Sequence, residues 1–527
     1  MYFATGYNRN ILFNMRGIAM EIFNYTINRS DSVAFNNNAA FCVGTGRTNL
    51  GLRHEYHNQL KKIQKDIGFS YIRGHGLFCD DMGVYHTYKQ DGEERAEYNF
   101  RYIDMVFDDY LSLGLKPFVE LGFMPDKLAS GKQTIFYWKG NVTPPSDYGK
   151  WAALVEAVIT HWIKRYGADE VVTWPFEVWN EPNLSVFWKD ADMDEYFKLY
   201  EVTSKTVKNC DPRIRVGGPA ICGVDDERWL RCFLEFCSKN AMPLDFVTRH
   251  AYATEEPEAV GHYVYQKLRS PDAVMSELRT SRRIIDSFPE YAGMEMHVTE
   301  FNTSYSPLNP IHDTNLNAAY VARLLSEMGD VCASYSYWTF GDVFEESGIA
   351  FTPFSGCFGL LANGMIPKPS YWAFSFFGKI GSNAVARGEY FIMTKDETGS
   401  LFGIAWNPRE LEDFDIELRF SIELDNGEYF FIKKLADESS CNPLKAWIDM
   451  GSPAYPTEGQ LVLLRECAQP RTTTDRLTVT DGVLNLNMPL SANALCYFEI
   501  KRVYPETDRG FVSGRIRGAE ITGLRST

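Results

Sequence analysis

From about residue 40 to residue 380, short apolar runs alternate with longer stretches whose apolar positions recur at helical spacing. The runs Phe41–Gly44, Tyr71–His75, Lys116–Leu121, Trp174–Asn180, Arg215–Ile221, Asp245–Tyr252, Met296–Phe301 and Ala333–Phe340 predict strands. Between and after them, Glu55–Asp66, Tyr98–Leu113, Tyr148–Tyr166, Met193–Lys208, Arg228–Ser238, Ala273–Ser287, Asn315–Met328 and Tyr371–Phe377 predict helices. Eight strand-then-helix units in succession point to an α/β fold, a (β/α)₈ barrel with some long loops. A doubly wound open sheet is the alternative, but it calls for a glycine-rich phosphate loop after an early strand, and Gly44-Thr45-Gly46 is too short for one.

Beyond about residue 385 the pattern changes. Glu389–Met393, Leu401–Trp406, Ile416–Phe420, Tyr429–Lys434, Gln460–Leu464, Leu477–Thr480 and Leu495–Val503 predict strands, separated by turns such as Asp396-Glu397-Thr398-Gly399 and Asp425-Asn426-Gly427. This predicts a C-terminal β-sandwich with little helix. The expected organisation is an N-terminal extension and a strand joining the sandwich over 1–32, a catalytic barrel over 33–382, an accessory β-sandwich over 383–510, and a polar tail over 511–527. Residues 1–19 differ in character from the rest of the chain, and Met20 reads as an alternative start. The opening segment lacks a charged leader followed by a clean apolar core and cleavage site, and no apolar run reaches membrane-spanning length.

The formal net charge of −16 disfavours nucleic acid as a partner, because an acidic surface repels phosphate. Eleven scattered cysteines, an odd number without a CxxC pair, fit a reducing compartment and hence the cytoplasm. The nine histidines form no HExxH, and His54-Glu55-Tyr56-His57 has the wrong spacing for zinc on one helix face. No GxSxG nucleophile elbow occurs. No metal ligand set and no cofactor is therefore expected, and no membrane.

The chemistry centres on Trp174–Trp188, WPFEVWNEPNLSVFW, an apolar strand broken at Asn180-Glu181-Pro182. Pro182 has no N–H and a fixed φ, so pairing stops there. An acid at the end of a buried strand is costly without a partner or a task. Glu300 occupies the matching place at the end of the seventh strand, Met296-His297-Val298-Thr299-Glu300. The fourth and seventh strands of a barrel face each other across one mouth, and two carboxyls flanking a sugar ring are the machinery of glycoside hydrolysis.

The motifs CVGTGR (42–47), YIRGHG (71–76), FVELGFMP (118–125), FEVWNEPN (176–183), RVGGPAI (215–221), RHAY (249–252), VTEFNTSYSP (298–307) and YWTFGDVFEE (337–346) together resemble glycoside hydrolase family 39, in particular its bacterial β-xylosidases. The resemblance implies a retaining, exo-acting enzyme that releases β-D-xylose from short xylo-oligosaccharides. Glu181 would be the acid/base and Glu300 the nucleophile. It also implies that Asn180 binds the sugar 2-OH, and that Arg73 and His75 line the sugar subsite, His75 towards a hydroxyl. Burial among Trp179, Phe187 and Trp188, with the charge of Glu300, is expected to raise the pKa of Glu181. Phe187 and His250 join the substrate-binding set, and Tyr252 is placed to orient Glu300. Tyr305 is expected as a wall, Trp338 beneath the ring, and Glu345 as the acid closing a one-sugar pocket with Glu346 a solvated neighbour, though a one-residue slip exchanges the two. Glu120 and Glu177 read as ion-pair partners. An α-L-iduronidase-like or α-L-arabinosidase relative stays open, the former with Arg73 or Lys368 as a cationic clamp. A non-catalytic glycan-binding barrel also stays open, as does a homo-oligomer.

Overall fold

The computed structural model describes residues 10–13, 19–410, 414–504 and 515; the expected polar tail lies almost entirely outside them, as does most of the segment before Met20. Eight strands close a parallel barrel: β1 Cys42–Arg47, β2 Tyr71–His75, β3 Lys116–Leu121, β4 Pro175–Val178, β5 Arg215–Ile221, β6 Phe246–Tyr252, β7 Met296–Asn302 and β8 Ser334–Tyr337, with β8 paired to β1. Their near-continuous apolar sequence reflects burial on both faces, by helices outside and by the barrel filling inside. All seven residues of β6 and of β7 are buried. Cys42, Phe118 and Phe246 pack together as one small cluster. Outside, Tyr148–Tyr166 presents Trp151, Leu154, Val155, Val158, Ile159 and Trp162 to the strands, capped by Asp147, whose side chain accepts from the N–H groups of Gly149 and Lys150.

Two sheets form the sandwich. One contains Asn10–Phe13, Ala19–Ile27, Asp415–Glu423 and Val483–Leu490; the other has six strands between Ala384 and Arg502. Ala19–Ile27 runs parallel to Asp415–Glu423, with Met20 opposite Asp415 and Ile27 opposite Ile422. Phe23, Ile27, Leu418, Phe420 and Met488 meet Phe391, Met393 and Phe498 in the core between the sheets. Trp406, Leu495 and Tyr497 join the barrel's own core, where Tyr497 stacks on Phe376 at 5.3 Å.

The structure corrects several element assignments. Gln460–Leu464 lies inside a helix, Glu458–Cys467, and Pro443–Asp449 is a second helix in this half. The apolar run there imitates a strand, but Thr457 and Gln460 form a reciprocal capping box, and Leu464 is buried while Val462 and Leu463 are exposed, a one-faced helical pattern. Val483–Leu490 was missed as a strand although its burial alternates strictly. The helix expected from Tyr98 begins at Arg101, because Glu93–Tyr98 pairs with Tyr85–Gln90 in a hairpin.

No helix among the described residues is long and apolar enough to cross a membrane. All eleven cysteines are unpaired.

The loop after β8 is anchored from below. Lys368 is fully buried, with Nζ 2.7 Å from both Asp313 and Asp342 and 2.6 Å from the Cys357 carbonyl. Asp342 in turn accepts from the Gly359 N–H, and Asp313 from that of Gly356. Removing the cation strands two carboxylates out of water. Lys368→Met is expected to cost about 3–5 kcal/mol of stability, measured by denaturant unfolding.

Candidate active site

The C-terminal end of β4 leaves extended geometry as soon as pairing stops. Trp179 has φ 70° and Glu181 φ 45°, left-handed values that a side chain rarely adopts without external support. The support is visible. The Glu181 N–H donates to the Ala220 carbonyl at 3.1 Å. Asn183 clamps the segment after β5 by donating to the carbonyls of Cys222 and Val224 and accepting from the Cys222 N–H. The Trp179 indole donates to the Phe187 carbonyl.

Glu300, near the end of β7, is 4 % exposed and held by three groups. Arg73 Nη1 donates to Oε1 at 2.7 Å, His75 Nε2 lies 3.3 Å from the same oxygen, and the Tyr252 hydroxyl donates to Oε2 at 2.7 Å. Burial, with the charges of Glu300 and Glu181, keeps that phenol protonated, so it has a proton to donate.

Beneath the pair lies Arg73, with a fully buried side chain. Its Nε donates to Glu177 at 2.6 Å and its Nη2 to Asn180 Oδ1 at 2.9 Å, while Glu120 lies 3.0 Å away. Glu120 also receives His75 Nδ1 at 2.6 Å, and Glu177 receives the Thr299 hydroxyl at 2.8 Å. Asn180 Oδ1 is thereby engaged, while its buried Nδ2 has no partner among the described residues. The amide keeps one donor for a ligand.

Glu181 is 5 % exposed. Burial first, and the charge of Glu300 next, push its carboxyl well above the usual carboxylate range. His250 Nδ1 lies 2.7 Å from Glu181 Oε1 and 3.6 Å from Glu300 Oε2, so one imidazole spans both acids. Burial, then the nearby Arg73 and His75, push this histidine well below its ordinary 6.5, so the ring is neutral. A neutral ring donating Nδ1–H to Oε1 leaves Oε2 of Glu181 to carry the acid's proton. The Cys222 thiol is also hydrogen-bonded to Glu181, and burial holds it well above the ordinary cysteine value.

A buried acid with a raised pKa, facing a second acid that accepts from Arg73 and Tyr252 at the C-terminal mouth of a barrel, is a site for acid and nucleophile chemistry on one substrate. The family model of Glycosyl hydrolases family 39 matches residues 26–485. The chain belongs to glycosyl hydrolase family 39. A β-xylosidase from Geobacillus stearothermophilus is 48 % identical over 478 residues, 90 % of this chain and 94 % of that protein. A β-xylosidase from Caldicellulosiruptor saccharolyticus is 36 % identical over 85 % of this chain and 91 % of its own. The crystal structure of a monomeric β-xylosidase from Caulobacter crescentus superposes with a TM-score of 0.83 at 32 % identity, covering 91 % of this chain and all of the other.

In this family 39 hydrolase, the residues singled out from sequence lie around one mouth. The Arg73 guanidinium, expected to line the sugar subsite, is fully buried and bonded to Glu300 and Asn180. His75 likewise bridges Glu120 and Glu300, with its ring packed between Phe123, Phe136 and Trp338. Glu345 and Glu346 have different surroundings. Glu345 is 6 % exposed and ion-paired to Arg47 at 2.8 Å and to Arg53. Glu346 has the Trp338 indole as a hydrogen-bond partner, and its carboxyl is pushed well up by burial and then by the charges of Glu300 and Glu181. Lys368, nominated as a clamp, is locked in its buried triad.

Trp338 is 1 % exposed and lies against His75 at 4.6 Å; Gly44 makes room for it, since a Cβ there would stand 2.5 Å from the indole. Phe187 is half-buried and packs edge-on against Phe136 at 5.5 Å, and Tyr305 stands at the rim, 45 % exposed, beside Tyr252. Sequence reasoning passed over Cys222, although it follows a barrel strand directly and so stands at the chemical face by topology alone.

Glu181 loses its proton only as pH rises through its raised pKa, and with Glu181 as general acid the protonated form is the one a leaving group needs. The basic limb of kcat/KM should therefore lie above the ordinary carboxylate value of about 4.3. Glu181→Ala should flatten that limb in a pH–rate profile; a limb that persists in this variant belongs to another group.

Proposed function

We propose that this chain is a retaining, exo-acting β-xylosidase that releases terminal β-D-xylose from short xylo-oligosaccharides. The observation that carries the reading is the pair Glu181 and Glu300 spanned by one neutral imidazole. The two distances from His250 Nδ1, 2.7 and 3.6 Å, sum to an upper bound on the separation of those two oxygens. That bound falls below the ~6.5 Å at which inverting pairs begin. Similarity to proteins named β-xylosidase over nearly the whole chain supports the choice of sugar.

In the proposed reaction Glu300 attacks the anomeric carbon while Glu181 gives its proton to the glycosidic oxygen. The bond to the leaving group breaks, and the sugar is left as an ester of Glu300. The charge of Glu300 is then gone, and one cause of the raised Glu181 pKa goes with it. Glu181, now a carboxylate, takes a proton from water as the water attacks the ester, and the anomeric configuration is restored. Asn180 Nδ2 supplies a donor for the 2-OH, a contact that strengthens in the transition state. The Tyr137 N–H donates to the Glu346 carbonyl at 2.8 Å, joining the loops after β3 and β8 across one side of the mouth. Such a wall suits a pocket for a single terminal sugar rather than a through-running cleft.

The reading as an iduronidase needs a free cation for a uronate. Arg73 and Lys368 are both committed to buried carboxylates, which weighs against it. Eleven unpaired cysteines support a reducing compartment such as the cytoplasm.

With a nitrophenyl β-D-xyloside and NMR of the first-formed product, β-xylose is expected. Glu300→Ala should lose activity and recover it with azide as a glycosyl azide of inverted anomeric configuration. Initial release of α-xylose, or full activity without Glu300, overturns the assignment. Glu181→Ala should slow a substrate with a poor leaving group about 10²- to 10⁴-fold, and an activated nitrophenyl glycoside less.

A further inference from the structure

Cys222 stands beside the acid/base without a task in the proposed hydrolysis. Together with Glu181 and His250 it forms a group of three chemically distinct donors, one thiol sulfur, one imidazole nitrogen and one carboxylate oxygen, whose ligand atoms all lie within 4.8 Å of one another. They come from the ends of three successive barrel strands, β4, β5 and β6, and their backbones are already cross-linked. Asn183 holds the Cys222 peptide, and Glu181 N–H is bonded to Ala220. We propose that Glu181, Cys222 and His250 are a binding site for a single thiophilic divalent cation of the Zn²⁺ or Cd²⁺ class, and that its occupation blocks hydrolysis.

The donor set matches the cation. Thiolate and imidazole favour zinc-group ions over hard ones such as Mg²⁺, and three protein ligands with a fourth position left to solvent is a common zinc arrangement. Ligand atoms around a tetrahedral ion lie roughly 3.3–3.7 Å apart, given metal–ligand distances of about 2.0–2.3 Å. Donors within 4.8 Å reach that spacing by small side-chain rotations. The electrostatics also favour a cation. Glu300 adds its charge beside the three donors, whereas Arg73 is already bonded to Glu177 and Glu300. His250 brings a neutral ring, whose Nε2 is buried and has no partner.

The proton balance is definite. Cys222 gives up its thiol proton and Glu181 its carboxyl proton, both to solvent. His250 keeps one ring proton, carried on whichever nitrogen does not bind the ion. The acid/base then has no proton for a leaving group. The binding half of the proposal stands on the donor set alone; the blocking half rests on Glu181 as the acid/base.

Calorimetric titration of the full-length protein with Cd²⁺, in buffers of different ionisation enthalpy, tests the binding half. Cys467, the exposed cysteine, is replaced by serine in every sample to remove a competing thiol. One ion per chain, with release of about two protons, is expected. Cys222→Ser should weaken binding at least roughly tenfold, the smallest loss seen even for outer partners of a metal site. Glu181→Gln, read by binding only, should lower proton release to about one. Equal affinity in Cys222→Ser, or an ultraviolet cadmium–thiolate band that survives in it, overturns the site. In parallel, the ratio of xylobiose hydrolysis, a reaction with a poor leaving group, with and without Cd²⁺ should fall with the same midpoint as binding, and shift with it in Cys222→Ser. Cys222-dependent binding without loss of hydrolysis overturns the blocking half, and with it the role of Glu181.

Discussion

A guanidinium that touches no solvent sits where β2, β3, β4 and β7 converge, and the carboxylates of Glu120, Glu177 and Glu300 all reach it. Each of these acids taken singly out of water is expensive, and Arg73 is the group that makes their joint burial tolerable. One positive charge cannot neutralise all of them. Burial leaves the Glu177 carboxyl raised despite its contact with Arg73. The surplus negative charge is what the rest of the site is built around. Burial first, and this charge next, keep the Tyr252 phenol protonated and the Glu181 carboxyl raised. Arg73 contributes by geometry as well as charge, because its planar fork fixes Asn180 and Glu300 relative to each other.

The differing behaviour of the two acids follows from unequal company. Glu300 is offered an arginine, a histidine and a phenol. Glu181 is offered one neutral imidazole and one thiol, within an apolar surround. Both residues leave barrel strands, but the backbone at Glu181 is left-handed, and it is braced by Ala220 on the neighbouring strand and by Asn183, two residues on, which clamps the segment after that strand. Such a conformation costs of order 1–3 kcal/mol and persists where surrounding contacts over-determine it.

The barrel and the two acids were legible because strand ends in this topology are chemically special. An apolar run stopped by Asn-Glu-Pro, or followed by Phe-Asn-Thr-Ser after Glu300, marks such an end in one dimension. What stayed hidden depends on contacts between loops. Glu345 and Glu346 are adjacent and alike along the chain, and only the fold brings Arg47, the last residue of β1, and Arg53 beyond it against Glu345. Arg73 and His75 were placed at the right end of the right strand, but nothing along the chain reveals that neighbouring acids have already claimed their donors. The strand-like Gln460–Leu464 run is decided by a cap a few residues upstream. Cys222 carried no motif and so drew no notice.

The parallel pairing of Ala19–Ile27 with Asp415–Glu423 gives the chain a nested layout. The accessory unit opens before the barrel starts and closes after it ends, so the barrel is an insertion within the sandwich and not a bead in front of it. No single cut separates the two folding units without tearing a sheet. During synthesis Ala19–Ile27 must wait, its apolar face uncovered, until nearly four hundred further residues have emerged and its parallel neighbour arrives.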